Sequence, residues 1–102
     1  RVKDLIIRGG VNIIPGEIEE VIYQIKDVKL AAVYGLPDKI FGEKIIAVIE
    51  RQGVISKNDI KNYLSDKLQR LKIPEVIHFV DSMPKTPSGK IFKRKLKDML
   101  PS

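Results

Sequence analysis

Eight residues near the C-terminus, Pro84-Lys85-Thr86-Pro87-Ser88-Gly89-Lys90-Ile91, combine a constrained backbone with a cation. The two prolines and the glycine hold this stretch out of regular structure. Lys90 then stands just before an amphipathic run from Ile91 to Leu100, with Phe92, Leu96, Met99 and Leu100 on one face of a predicted helix. A positive charge at the N-terminal end of a helix opposes the macrodipole, so local stability does not select lysine there. A local conflict of this kind in an otherwise consistent sequence points to chemistry. A phosphate-binding P-loop reading of Ser88-Gly89-Lys90 fails twice: its leading glycine would fall on Pro84, and Ile91 replaces the magnesium-binding Ser/Thr. Zinc chemistry lacks ligands, with one histidine and no cysteine. His78, between Ile77 and Phe79 in a predicted strand, reads as structural. No nucleophile–base pair has a suitable spacing. What the residues leave is a lone cation on a stiff loop, suited to stabilising negative charge carried by other groups.

The elements that must hold this lysine are predicted from periodicity and turn chemistry. Leu5-Ile6-Ile7 and Val11-Asn12-Ile13-Ile14 flank Arg8-Gly9-Gly10 as a short hairpin. Pro15-Gly16 opens a helix whose Glu17, Glu19 and Glu20 complement its positive end, with Ile18, Val21, Ile22 and Ile25 as its apolar stripe. Leu30–Tyr34 and Ile45–Ile49 read as paired central strands joined by a loop over residues 35–42. Ser56-Lys57-Asn58-Asp59 has capping-box spacing and starts a helix with Ile60, Tyr63, Leu64 and Leu68 on one side. Pro74 halts the chain before a strand at Val76–Val80. The expected fold class is α+β: a small mixed sheet of about three strands plus an N-terminal β-hairpin, packed with two to three helices.

At 102 residues the chain is expected to be one domain with a modest core. Hydrophobic content of 43% beside 31% charged residues excludes an intrinsically disordered class. The absence of cysteine excludes a disulfide framework and suits a reducing, cytoplasmic setting. No apolar run reaches transmembrane length and no signal peptide is visible. The first residue is Arg1 rather than methionine, so a piece of something longer is expected. Residues 1–50 carry seven Lys/Arg and eight Asp/Glu, whereas residues 51–102 carry twelve and five. The C-terminal half is thus the one placed to meet phosphates or carboxylates, although a solvated basic face has the same composition.

The loop Pro84–Ile91 resembles the C-terminal lysine motif of the adenylate-forming (AMP-binding) superfamily, which includes acyl- and aryl-CoA synthetases, nonribosomal adenylation domains and luciferases. Arg1-Val2-Lys3-Asp4-Leu5-Ile6-Ile7-Arg8-Gly9-Gly10, followed by Asn12-Ile13, Pro15 and Glu17-Ile18-Glu19, is similar to that family's hinge motif. Gly35-Leu36-Pro37-Asp38 and Phe41-Gly42-Glu43 match its pattern between the central strands. The matches lie in family order over nearly the whole chain. The resemblance implies that residues 1–102 are a mobile C-terminal lid, with the large N-terminal domain absent from this chain. The activity it implies is that of an ATP-dependent acyl-CoA synthetase, most like a long-chain-fatty-acid–CoA ligase. A carboxylate attacks ATP to give acyl-adenylate, the lid reorients, and the thiol of coenzyme A displaces AMP. The implied small-molecule partners are ATP, coenzyme A and a carboxylic acid, with Mg2+ held mainly by the missing domain. The protein partner is the chain's own N-terminal domain; neither nucleic acid nor a transmembrane segment is implied. The isolated fragment is expected to be inactive.

By the same resemblance, Lys90 is the catalytic lysine bridging the carboxylate and the phosphate or ribose oxygens. The competing reading is an exposed lysine at a helix start. Lys3 falls on the hinge position, against a plain solvated linker charge. Arg1 corresponds to the arginine near the nucleotide. Gly9 and Gly10 suffice as a hairpin turn, and the family role adds a lining for the coenzyme A pantetheine tunnel. Lys93, Arg94, Lys95 and Lys97 read as a solvated helix face. Three other readings compete: a nonribosomal-type adenylation domain, which a carrier domain would normally follow, a small basic nucleic-acid-binding module, and a plain interaction domain, which leaves the lysine loop unexplained. Against the second, the six aromatic residues are scattered rather than interleaved with the basic cluster.

Overall fold

Ile45–Ile49 is apolar at every position because the strand containing it is covered on both faces. The computed structural model describes residues 5–101. Strands β1 (Ile6–Arg8) and β2 (Val11–Ile13) form an antiparallel hairpin, followed by helix α1 (Pro15–Tyr23). The long strands β3 (Val28–Asp38) and β4 (Gly42–Arg51) pair antiparallel. Helix α2 (Lys57–Ser65) and a 3-10 turn at Arg70–Lys72 lead to β5 (Val76–Val80), which runs parallel to β4. Helix α3 (Lys93–Met99) follows. The sheet order β3-β4-β5 puts β4 in the middle. This is the expected α+β architecture.

Alternation along the strands divides the core in two. Ala31, Val33, Ile45, Ala47, Ile49 and Ile77 pack with Ile6 and Ile13 of the hairpin, Ile18 and Ile22 of α1, and Ile60 and Leu64 of α2. Ala32, Tyr34, Ile46 and Val48 lie on the other face, under Met83 and Leu96. A fully buried isoleucine contributes roughly 1.5–3 kcal/mol. β4 buries Ile45, Ile46 and Ile49 completely and is therefore the spine to which everything else is fixed. At the start of α2 the predicted capping box is present: the Asp59 amide donates to Ser56 Oγ and the Ser56 amide to the Asp59 carboxylate.

Three expectations are corrected. The residue 35–42 loop is mostly strand, since the β3–β4 ladder continues to Asp38↔Gly42 and leaves only residues 39–41 as a turn. β3 is an edge strand rather than a central one, which is why it tolerates Pro37. α3 begins at Lys93, because Ile91 is used in a bridge to Lys85, and of its expected apolar face only Leu96 is fully buried while Met99 stays half exposed.

The open edge of β3 is closed by side chains of α1. Tyr23 Oη accepts from the Ala31 amide (2.9 Å) and donates to its carbonyl (3.2 Å). The Glu19 carboxylate accepts from the Val33 amide (2.8 Å). Unpaired strand-edge groups are thereby satisfied within the chain. Glu19 is thus more than a helix-start charge.

Candidate functional site

The segment that carries Lys90 is a closed loop. Lys85 and Ile91 bridge antiparallel, and the Phe92 amide donates to the Pro84 carbonyl (2.9 Å). Inside that frame the Thr86 amide donates to the Lys90 carbonyl (2.7 Å) and the Gly89 amide to the Thr86 carbonyl (2.9 Å). Thr86 Oγ1 accepts from the Lys90 amide (3.2 Å) and lies 2.9 Å from Ser88 Oγ. Gly89 turns the tip with φ +91°, a region that L side chains rarely enter. The backbone of Lys90 is therefore fixed while its side chain projects into solvent. Lys90 lies outside α3, so the dipole conflict expected there falls on Lys93, Arg94 and Lys95, the first turn of that helix. Lys93 is not a freely solvated charge either: its Nζ is 3.0 Å from the Glu19 carboxylate.

The base of the loop is tied to the end of β4. The Met83 amide donates to Glu50 Oε1 (2.8 Å), and Lys29 Nζ stands 3.3 Å from Glu50 Oε2. The Met83 hydrogen bond, then the Lys29 charge, hold the Glu50 carboxyl below its ordinary value of about 4.5, against the opposing effect of burial. A carboxyl so lowered stabilises the fold above its ordinary value, and the contribution is lost as pH falls through the lower folded-state value. The melting temperature of Glu50→Gln should therefore lie below that of the native chain near neutrality and converge on it in acid. A gap that stays constant through the acid range would refute this linkage.

Gly9 and Gly10 form the turn of the β1–β2 hairpin with φ +57° and +79°. The hairpin is bolted to the other end of β4. The Ile7 amide donates to Glu43 Oε1 (2.7 Å), the Gly9 amide to the Phe41 carbonyl (2.7 Å), and the buried Arg8 guanidinium to the Glu43 carbonyl (3.2 Å) and Glu75 carboxylate (2.7 Å). Arg8 also covers the Phe41 ring at 4.5 Å. The 39–41 turn that presents Phe41 is pinned by Asp38. Its carboxyl is held below the ordinary range chiefly by the Phe41 amide, helped by the Ile40 amide and the charges of Arg8 and Lys44. The two motifs around residues 6–10 and 35–43, separate in sequence, are one unit in space.

The structure does not bring Lys90 and the glycine turn together. Their attachment points, Glu50 and Glu43, are separated along β4 by about 23 Å at 3.3 Å per residue. Lys3 and Arg1 lie outside the described residues. His78 Nε2 donates to the Pro101 carbonyl (3.1 Å). Two of the six aromatic rings are withdrawn from stacking: Tyr34 is buried and Phe79 is covered by the Arg51 guanidinium at 3.9 Å. Sequence reasoning missed Glu50, Glu43 and Arg8. Of these, Glu50 carried a signal, a carboxylate continuing an apolar strand run where an uncompensated charge would be costly.

Residues 17–90 match the model of the AMP-binding enzyme C-terminal domain. The chain belongs to that family. The match ends on Lys90 itself. The chain is 40% identical over 97 residues to the 2-succinylbenzoate–CoA ligase of Lactococcus lactis subsp. lactis, covering 95% of this chain and 21% of that protein. It is 41% identical over 99 residues to the long-chain-fatty-acid–CoA ligase FadD13 of Mycobacterium tuberculosis, covering 96% and 20%. Among solved structures, the o-succinylbenzoate CoA synthetase MenE of Bacillus subtilis, in complex with the acyl-adenylate intermediate OSB-AMP, superposes with a TM-score of 0.92 at 34% identity over 98% of this chain and 21% of that one. The chain thus spans about a fifth of the length of the relatives it matches. Its AMP-binding C-terminal fold is shared with CoA ligases.

Proposed function

We propose that residues 1–102 are the lid of an ATP-dependent, AMP-forming acid–CoA ligase, working with a larger N-terminal domain that holds the acid and nucleotide. The observation that carries this reading is the rigid loop presenting the Lys90 ammonium, set at the opposite end of β4 from the Gly9–Gly10 turn. Two such features on one stiff strand cannot serve one small cleft in a single pose, which supports a domain that presents its ends in turn.

In the first half-reaction a carboxylate oxygen attacks the α-phosphorus of ATP, the bond to the β-phosphate breaks, and pyrophosphate leaves. Two anions meet there, and an ammonium between them lowers the barrier electrostatically and by alignment. Lysine suits the task as a compact charge on a long stem. In the second, the coenzyme A sulfur attacks the acyl carbon, the bond to AMP breaks, and the thiol proton is released. Gly9 and Gly10 would then line the pantetheine path, with Lys3 as the hinge and Arg1 beside the nucleotide. Among the described residues no three His, Asp or Glu side chains converge. No described helix is long and apolar enough to cross a membrane.

The named substrates of the relatives, 2-succinylbenzoate and long-chain fatty acids, make carboxylic acids the substrate class to test. The full-length protein should catalyse ATP–pyrophosphate exchange only with a carboxylic acid and release AMP with thioester once coenzyme A is added. Residues 1–102 alone should do neither. Exchange without an acid, or phosphate in place of pyrophosphate as product, would overturn the reading.

A further inference from the structure

We propose that Glu50 and Glu19 are positioning residues for Lys90, clamping the two ends of the segment that carries it. The inference rests on the lysine role above and extends it to two carboxylates that lie far apart in sequence. On the N-terminal side, Glu50 accepts from the Met83 amide at 2.8 Å. Its position at the end of a fully buried run leaves it only 7% exposed. A carboxylate there is tolerated because its oxygens are engaged, and a charge-assisted bond to a backbone amide is short and directional.

On the C-terminal side, Glu19 accepts from the Val33 amide at 2.8 Å and lies 3.0 Å from Lys93 Nζ. It thereby ties the first residue of α3 to both α1 and the edge of β3. α3 has no side-chain cap and three cations in its first turn, so the carboxylate also offsets an unfavourable charge–dipole arrangement. Between the clamps, the Lys85–Ile91 bridge and the Thr86–Lys90 bonds leave no slack. A shift at either clamp is therefore transmitted to Lys90, and misplacement of a reacting group by about 1 Å costs up to roughly a hundredfold in rate.

The test is made in the full-length enzyme with separate assays for adenylation (ATP–pyrophosphate exchange) and for thioester formation from supplied acyl-adenylate. Glu50→Ala and Glu19→Ala should each lower the adenylation kcat roughly 10- to 100-fold, with KM for ATP and acid within about twofold. Thioester formation should hold. Glu50→Gln, which keeps an acceptor oxygen for the Met83 amide and folds even where the alanine variant does not, should recover most of the adenylation rate. Added to Lys90→Ala, neither alanine variant should cost adenylation anything further, because both act through that lysine. Equal loss in both half-reactions, or further loss in the Lys90→Ala background, would reduce the two carboxylates to general fold supports. Lys90→Ala with intact adenylation would sink the lysine role itself. Intact Glu50→Ala and Glu19→Ala beside a crippled Lys90→Ala would sink only the clamp.

Discussion

Lys90→Ala in the full-length enzyme should lower adenylation by about 100- to 1,000-fold and leave thioester formation from supplied acyl-adenylate within about twofold of native. The magnitude is that of removing one cation aimed at developing negative charge, and the backbone that carries Lys90 is held in place because its loop closes on itself through Thr86. The sparing of the second step follows from the distance along β4 between Glu50, which anchors the lysine loop, and Glu43, which anchors the hairpin. Lys90→Arg should not rescue, since a planar guanidinium replaces a point charge. Stability should be unaffected, because the side chain is exposed. Equal loss in both half-reactions would contradict the assignment.

The second large effect is expected at the hairpin, with the opposite split. Gly10 has φ +79°, and a Cβ built there meets no atom within 4 Å. The domain therefore has room for a side chain and resists it only through backbone strain, about 1–2 kcal/mol for an ordinary L-residue. Asn accepts this region far better than other residues. Gly10→Asn should leave melting close to native and adenylation intact, yet slow thioester formation roughly 10- to 100-fold if the turn lines the pantetheine path. Gly10→Val should add a loss of stability to the same kinetic defect. A native thioester rate in a well-folded Gly10→Asn enzyme would place the turn away from coenzyme A.

Features written in short-range patterns were legible. Ser56 and Asp59 announced α2, Gly9-Gly10 the hairpin, and Pro84, Pro87 and Gly89 the loop, because each acts on the backbone within four residues. The extent of β3 was not, since Gly35 and Pro37 are turn residues by local preference and only the edge position makes them acceptable in a strand. α3 was overextended because Ile91 fits a helical stripe equally well when it bridges Lys85. The clamps escaped notice for a different reason. Glu19 and Glu50 meet partners 74 and 33 residues away, at Lys93 and Met83, and no sequence period encodes such a meeting.

Residues 83–100 do double duty: they bear the lysine and they roof Ala32, Tyr34, Ile46 and Val48. A premature stop or a protease cut just after Val80 would therefore not yield a quiet, intact domain that merely lacks the lysine. It would bare half of the sheet and turn the product into prey for aggregation and quality control. Cells should seldom accumulate such a product, because here the lost lysine and the lost shape come from the same missing tail.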